Sequence, residues 1–296
     1  MTGKTRLARS RLIWIFAAAI VVATLQVWVT INLFSDYAVA HWGVAAVSRE
    51  TPTSVNLSYQ SVVYDGSLPA WFIPGAPGFP VFVVVSGWNG DRDSNLNKAV
   101  PPLHRLGYGL LCIDLAYQIG RTTFGGGQRE ASEVVAAARW VRTHTGAPVI
   151  LYGTSAGGLA VLLAGAEGLR PLAIVSDSGL VSERNEVAFN SGLPTSLFAP
   201  FELFYPLLSS GGHIQDVGNE LHQHPGYDVP TLIVQGTGDS KINWHNGPEL
   251  AHLTHGTLWL LPGVPHVGAF RSDPERYISR VSAFIRDAEA TAKTRQ

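Results

Sequence analysis

Ser155 lies in a sequence pattern that presents a hydroxyl group as a nucleophile. Residues 149–158 read VILYGTSAGG, in which a strand-like apolar run leads into Gly-x-Ser-x-Gly. The small and apolar residues 156–169 that follow are typical of a packed helix. Glycines two residues either side of the serine remove Cβ atoms that would clash in a strained strand-to-helix turn. The pattern therefore predicts a nucleophile elbow, with free N–H groups at the helix N-terminus behind Ser155.

A serine hydroxyl is a poor nucleophile at neutral pH, so this interpretation requires a base and an acid later in the chain. Asp239 follows the strand-like residues 231–236, and His266 follows the next such run, 257–261, in a loop shaped by proline and glycine. Taken singly, the two are compatible with a turn aspartate and a surface histidine. Their order after the serine is the order of an elbow-type triad. We predict Ser155, Asp239 and His266 as this triad.

Asp177 is the alternative acid, because it also ends a strand-like run, residues 173–177. An acid of an elbow-type site stands in a loop at the carboxyl end of a strand. In the sequence, both aspartates follow a strand-like run and so meet this condition. We predict Asp239 as the acid and keep Asp177 as the reserve acid.

From about residue 55 to residue 288 the chain resembles an α/β-hydrolase, nearest to bacterial esterases and prolyl-oligopeptidase-like enzymes. Besides the elbow and the two loops, the resemblance rests on an opening hairpin, a third strand with its oxyanion loop, and a fourth strand. These are residues 59–74, 82–90 and 107–114. The resemblance implies a mostly parallel sheet covered on both faces, with an active site at the carboxyl ends of the strands.

The resemblance also implies an oxyanion hole made by the backbone N–H groups of Trp88 and Ala156. Two departures from the family pattern concern its loops. Ser86-Gly87 stands where relatives often carry His-Gly, and residues 241–243, Lys-Ile-Asn, stand where relatives often carry Val-Pro. Because backbone groups form the hole, the first change leaves both donors in place. The second concerns the shape of the acid loop and leaves the acid itself in place.

The N-terminal residues have the composition of a membrane anchor. Residues 12–34 are almost entirely apolar, and a helix of that length, at about 1.5 Å per residue, exceeds the ~30 Å hydrocarbon core of a bilayer. The basic residues of the preceding tail, 1–11, stand before the first acidic residue, Asp36. By the positive-inside rule, the tail is cytoplasmic and the hydrolase domain lies on the outer side of the membrane.

The competing interpretation is a cleaved secretory signal, since residues 38–40, Ala-Val-Ala, have the A-x-A form of a cleavage site. The enzyme would then be released after Ala40. The apolar stretch is longer than the roughly 7–15 residues of a signal h-region, which favours the uncleaved anchor. In either case we expect a chain lacking residues 1–40 to be soluble and active, since every residue assigned to chemistry lies beyond it.

The expected organisation is a transmembrane helix, 12–34, a linker, 35–54, the hydrolase domain, 55–288, and a tail, 289–296. Within the domain, residues 128–145 and 274–288 have the apolar spacing of amphipathic helices. Residues 179–229 form a long insertion rich in aromatics and prolines. This insertion is predicted to be a cap over the active site, or simply to pack onto the core.

The remaining composition limits the classes of function. The net charge of −1 over 296 residues gives no indication of a nucleic-acid partner. The one cysteine, Cys112, falls in a predicted buried strand and is interpreted as a core residue. The histidines at 213, 222, 224, 252 and 255 lack the carboxylates or cysteines that usually complete a metal site, so we expect them at the surface.

These observations predict a serine hydrolase that needs no metal or organic cofactor and acts on a small-molecule acyl substrate. An ester or thioester is the leading substrate class. A peptide is the alternative within the enzymes, and a membrane-anchored binding protein without turnover is the alternative outside them. The acyl chain, the head group and the oligomeric state are not specified by these residues.

Overall fold

The computed structural model describes residues 3–41, 43, 50–198 and 201–294, with residues 3–12, 201 and 202 described by their backbone alone. The strands are β1 (Gln60–Tyr64), β2 (Leu68–Ile73), β3 (Val81–Val85), β4 (Gly109–Ile113), β5 (Val149–Thr154), β6 (Ala173–Asp177), β7 (Thr231–Gly236) and β8 (Thr257–Leu261). The helices are α1 (Gly3–His41), α2 (Val100–Arg105), α3 (Gln128–Thr145), α4 (Ala156–Ala166), α5 (Glu183–Ser191), α6 (Phe201–Leu208), α7 (Val217–Gln223), α8 (Asn246–Leu253), α9 (Ala269–Ser272) and α10 (Pro274–Thr294), with short 3₁₀ helices at Pro52–Val55 and Thr195–Phe198.

The eight strands form one sheet in the order β1-β2-β4-β3-β5-β6-β7-β8. The pairs β1–β2 and β2–β4 are antiparallel, and all the others are parallel. Asp65 and Gly66 make the turn of the opening hairpin, both with positive φ, as an Asp-Gly turn requires. The expected mostly parallel sheet is therefore confirmed, with its parallel strands ending at one edge.

Side chains alternate between the two faces along each strand, and the central strands are buried at every position, so helices cover both faces of the sheet. In β3, Val83 and Val85 pack in the cluster that contains residues of α3 and α4, while Phe82 and Val84 pack in the cluster of α2 and α10. Cys112 is buried in the second cluster, as its position in a strand predicted. These two layers hold the carboxyl ends of β5, β7 and β8 in fixed relative positions.

Helix α3 has the predicted bounds, whereas the predicted C-terminal ends of α4 and α10 were wrong. Helix α4 ends at Ala166, short of the predicted residue 169, because Gly168 adopts φ +92° and cannot continue the helix. Helix α10 continues to Thr294, so most of the predicted tail 289–296 is helical. Alanine, glutamate and lysine there favour helix, and no glycine or proline interrupts them.

Helix α1 is longer than the predicted span 12–34. It contains 39 residues, and its stretch Ile13–His41 is apolar and long enough to cross a membrane by length and composition. The predicted linker 35–54 is wrong in its first part, since residues 35–41 continue the helix and Val39 and Ala40 are buried in the core cluster around α3 and α4. Residues 42 and 44–49 of that linker lie outside the described residues.

The insertion 179–229 contains α5, the second 3₁₀ helix, α6 and α7, and we call it the cap. Several of its residues, Phe198, Tyr205 and Val217 among them, are buried in the same cluster as Val39. The Tyr205 hydroxyl donates to the carbonyl of Phe124 at 2.8 Å. The cap is thus packed onto the domain core and onto the last turns of α1.

Candidate active site

Ser155 stands between β5 and α4 with φ 56° and ψ −124°, a conformation that L residues rarely adopt. Its two flanking glycines are required by contacts. A Cβ on Gly153 would collide with the carbonyl of Gly157, and a Cβ on Gly157 would lie 2.5 Å from the carbonyl oxygen of Val85. The strand-to-helix turn expected from the sequence is present, and it leaves the serine side chain partly exposed.

The structure brings Ser155, His266 and Asp239 together in one hydrogen-bonded line. His266 Nε2 lies 3.0 Å from Ser155 Oγ, and His266 Nδ1 lies 2.7 Å from Asp239 Oδ2. The histidine side chain is 17% exposed, while the aspartate side chain is fully buried. The imidazole can therefore accept the serine proton on one nitrogen while the carboxylate holds the other.

The Asp239 carboxylate is held by several donors besides the histidine. Its Oδ1 accepts the N–H groups of Lys241 and Ile242, each at 2.9 Å, and its Oδ2 also accepts Gln235 Nε2 at 3.2 Å. Burial acts to raise the pKa of Asp239, but the hydrogen bonds from His266 and from the two backbone groups outweigh it and lower the pKa. The carboxylate is thus kept ionised next to the imidazole.

The unusual residues 241–243 have a structural explanation in the cap. The N–H of Asn243 donates to Glu186 Oε2 at 3.0 Å, a bond that proline could not make at this position. Glu186 Oε1 accepts Asn246 Nδ2 at 2.6 Å. Burial raises the pKa of Glu186 to about 7, against the effect of these two hydrogen bonds. Glu186 of α5 therefore ties the cap to the acid loop.

Asp177, the alternative acid, lies apart from the imidazole in a network of its own. Its Oδ2 accepts the Tyr277 hydroxyl at 2.9 Å, and its Oδ1 accepts the Ser178 hydroxyl at 3.1 Å. Tyr277 is in turn 3.1 Å from the hydroxyl of Tyr152. Burial raises the pKa of Asp177 to about 6. Its carboxylate joins β6 to α10, and no hydrogen bond connects it to His266.

Ser178 links this network to the loop that carries the histidine. Its hydroxyl donates to Asp177 and accepts the N–H of Val267 at 3.0 Å. Val267, the residue after His266, has φ +49°, which is a strained conformation for a β-branched residue. The hydrogen bond from the Val267 N–H to Ser178 Oγ therefore stabilises the turn that directs His266 toward Ser155.

The expected oxyanion loop lies directly beside the serine. A Cβ on Gly87 would be 2.8 Å from Ser155 Cβ, so only glycine permits this approach. The N–H groups of Trp88 and Ala156 donate no hydrogen bond to other residues in the described part of the chain. Ala156 is the first residue of α4, where a backbone N–H has no partner within the helix. Both predicted donors are thus available for a ligand.

Gln118 holds this loop, and sequence reasoning missed it. Its Nε2 donates to the carbonyls of Ser86 and Gly87 at 3.1 Å and 3.0 Å, while its Oε1 accepts the N–H of Leu115 at 2.9 Å. The Ser86 hydroxyl, in the position where relatives often have histidine, accepts Asn95 Nδ2 at 3.1 Å. Gln118, like Ser178 and Glu186, acts through contacts distant in sequence that no local motif indicates.

The histidines interpreted as surface residues are all exposed, at positions 213, 222, 224, 252 and 255. Among the described residues, no three histidine, cysteine, aspartate or glutamate side chains are close enough together to hold a metal ion.

No protein-family model and no curated protein matches the sequence. Several solved structures match the fold. An esterase of Pyrococcus furiosus, Pf2001, superposes with a TM-score of 0.66 at 18% identity, covering 82% of this chain and 97% of that one. The α/β-hydrolase GrgF from Penicillium gives 0.61 at 16% identity, covering 79% and 99%. Est1E from Butyrivibrio proteoclasticus gives 0.58 at 17% identity, covering 78% and 99%. At these identities the likeness concerns architecture: beyond its N-terminal helix, this chain has the α/β-hydrolase fold.

Proposed function

We propose that the protein is a serine hydrolase that cleaves a carboxylic ester or thioester through an acyl-enzyme intermediate. The observation that carries the proposal is the line from Ser155 Oγ to His266 Nε2 and from His266 Nδ1 to Asp239, with distances of 3.0 Å and 2.7 Å. These are the distances over which a general base takes a proton from a nucleophile. The three residues follow β5, β7 and β8 at the carboxyl edge of the parallel strands, which supports the proposal because the active sites of this architecture lie at that edge.

In the proposed reaction, Ser155 Oγ attacks the acyl carbon while its proton passes to His266 Nε2. Asp239 stabilises the imidazolium that forms. The N–H groups of Trp88 and Ala156 donate to the oxyanion of the tetrahedral intermediate. The imidazolium then returns its proton to the leaving alkoxide or thiolate, and the acyl group remains on the serine.

Deacylation repeats these steps with water in place of the serine. His266 takes a proton from a water molecule, whose oxygen attacks the acyl-enzyme. The intermediate collapses to release the carboxylic acid, and the proton returns to Ser155 Oγ. Each role belongs to a side chain or backbone group named above, so the proposed mechanism requires no metal or cofactor.

We also propose that α1 anchors the protein in the cell membrane, with the hydrolase domain on the outer side. The length and composition of Ile13–His41 support a span, and the basic residues before it support the orientation. Burial of Val39 and Ala40 supports an intact anchor, because cleavage after Ala40 would remove side chains packed in the core.

The substrate class is tested with the purified full-length chain in detergent, given a series of nitrophenyl esters and a series of aminoacyl amides. We expect turnover of esters that is lost in Ser155→Ala. Turnover of the amides alone would instead assign a peptidase of the prolyl-oligopeptidase-like type. No turnover of either series by a well-folded protein would favour a binding protein without catalysis.

A further inference from the structure

The last turns of α1 run alongside the cap in a defined register. Trp28 Nε1 and Asn32 Nδ2 both donate to the carbonyl of Leu197, at 2.7 Å and 3.1 Å. Further along, Ala40 and Ser210 line one small cavity. Residues 28 to 40 of α1 therefore follow residues 197 to 210 of the cap in the same direction, with Leu197 at the end nearer the proposed membrane span.

This register fixes the height of the cap relative to the bilayer. A hydrocarbon core of ~30 Å takes about 20 helical residues. A span that begins at residue 12 therefore ends near residue 31, at the level where Trp28 and Asn32 meet Leu197. The 3₁₀ helix Thr195–Phe198 then lies at the outer boundary of the hydrocarbon, and α6 lies just above it.

The cap exposes leucines at this height. Leu197, Leu203 and Leu207 have 38%, 70% and 80% of their surface exposed, and we call these three residues the cap strip. Leu203 and Leu207 are one turn apart on α6 and share a face, whereas Tyr205 points the other way and is fully buried. On the neighbouring helix, Phe34 and Tyr37 are 66% and 53% exposed.

We infer that the cap strip rests in the outer-leaflet interface of the bilayer that α1 spans, so that the partner of this surface is lipid. Because α6 runs in the same direction as α1, its exposed leucines stand beside the span at the level of the headgroups, where burial of apolar side chains in lipid is favourable. The strip is also continuous with α1, whose exposed apolar surface must itself be covered by lipid. The inference rests on the proposed membrane location of α1.

The same geometry places the candidate active site close to the membrane. Ala40 accepts the N–H of Phe124 at 3.0 Å, and Gly43 packs against the indole of Trp88. Trp88 follows Gly87, which touches Ser155. The end of the anchor is therefore in contact with the oxyanion loop. This contact points to an amphiphilic acyl substrate that is taken from the bilayer. That part of the inference rests on the proposed esterase function.

The location of the cap strip can be measured with a fluorophore at single cysteines. Cys112 is the only cysteine in the chain and is fully buried, so an added surface cysteine reacts selectively. Leu203→Cys and Leu207→Cys are each labelled with an environment-sensitive dye in the full chain. Leu106→Cys is the matched control. Leu106 is also exposed, at 43%, but it follows α2 on the opposite face of the sheet from the buried end of α1.

The labelled proteins are reconstituted into phosphatidylcholine and phosphatidylglycerol vesicles with and without spin-labelled lipid. We expect quenching at positions 203 and 207 to exceed that at 106 by about threefold or more, because only the first two dyes reach the interface. Equal quenching at the three positions would overturn the inference. Quenching between labelled proteins, without quenching by lipid, would overturn it as well, since a second copy of the chain would then cover the strip.

The proposed uptake of substrate from the bilayer is tested with the Leu203→Ser/Leu207→Ser double variant. We expect normal hydrolysis of a short soluble ester and a loss of about tenfold on a long-chain ester embedded in vesicles. Equal activity on both would refute bilayer uptake through this surface while leaving the location result intact. Since quenching is measured independently of turnover, an absence of esterase activity would count against the proposed function alone.

Discussion

The hydroxyl of Tyr277 in α10 donates a hydrogen bond at 2.9 Å to Oδ2 of Asp177, the last residue of β6, so this buried carboxylate joins the two elements. Asp239 accepts the hydrogen bond from His266 instead. The structure thus assigns different surroundings to two aspartates that the sequence leaves as alternatives.

Replacing Asp239, the proposed triad acid, should therefore lower activity far more than replacing Asp177. We expect Asp239→Asn to lower kcat by roughly 10⁴, because the amide favours the wrong tautomer of the imidazole. Asp177→Asn retains an oxygen that can accept the Tyr277 hydroxyl, so its effect on kcat should be much smaller. Steady-state kinetics on a nitrophenyl ester measures both. The reverse order of effects would make Asp177 the acid.

Gln118 should affect catalysis through the oxyanion loop without touching the substrate. In Gln118→Met the side chain keeps its approximate size but loses the donors to the carbonyls of Ser86 and Gly87. We expect kcat to fall by about 10- to 100-fold, less than the loss of an oxyanion donor itself, with KM little changed. A parallel rise in KM, or unchanged kcat in a variant of normal thermal stability, would show that Gln118 does not position the loop.

Glu183 should make folding stability depend on pH. Its side chain is buried, and its Oε1 has no hydrogen-bond partner among the described residues. Burial, reinforced by the nearby Glu186 and Glu130, raises the pKa of Glu183 from 4.5 to about 8. The unfolded state therefore loses this proton first, and the contribution of Glu183 to stability falls as the pH rises from 4.5 to about 8.

The variant Glu183→Gln does not titrate, so the pH-dependent contribution of this side chain to stability is absent from it. We expect the difference in Tm between the variant and the wild type to increase in favour of the variant on going from pH 5 to pH 8. Thermal unfolding in detergent at both values measures it. A Tm difference that is the same at the two values would show that Glu183 does not ionise differently in the folded and unfolded states.

We expect the part of α1 before Trp28 to be removable without loss of stability, whereas the part after it is not. A chain lacking residues 2–27 keeps the hydrogen bonds to Leu197 and the buried Val39 and Ala40, so we expect its Tm and its activity on a soluble ester to be retained. A chain lacking residues 2–41 should lose several degrees of Tm, because core side chains are removed. The sequence predicts that a chain lacking residues 1–40 is soluble and active, and the burial of Val39 and Ala40 adds the expectation that such a chain is less stable. Equal stability of the two truncated chains would show that these two side chains contribute little to the core.

Local patterns were sufficient to predict the candidate triad. The glycines on either side of Ser155 indicate a tight strand-to-helix turn. Asp239 and His266 each follow a continuous apolar run that predicts a strand. Because parallel strands end at one edge of a sheet, chain order and strand ends together bring these residues near each other. The bounds of α3 follow equally from apolar spacing within a single helix.

The rest depends on contacts between distant segments, which a single sequence does not display. Glu186 meets Asn243 only because the cap folds back over the acid loop. Asp36 follows the predicted span 12–34, yet α1 continues to His41, with Asp36 itself buried in the folded domain. In both cases tertiary packing decides the outcome, and residue type alone does not indicate it.

The central claim is that Ser155 is a nucleophile activated by His266. The most direct measurement is labelling of the full-length protein with a fluorophosphonate, followed by peptide mapping by mass spectrometry. We expect one adduct per chain, on Ser155, formed far more slowly in His266→Ala and absent from Ser155→Ala. Both variants should retain the thermal unfolding profile of the wild type.

An unlabelled wild-type protein, or an adduct on another residue, would contradict the account. So would equal labelling rates in the wild type and in folded His266→Ala, because the serine would then react without the base that lies 3.0 Å from its hydroxyl.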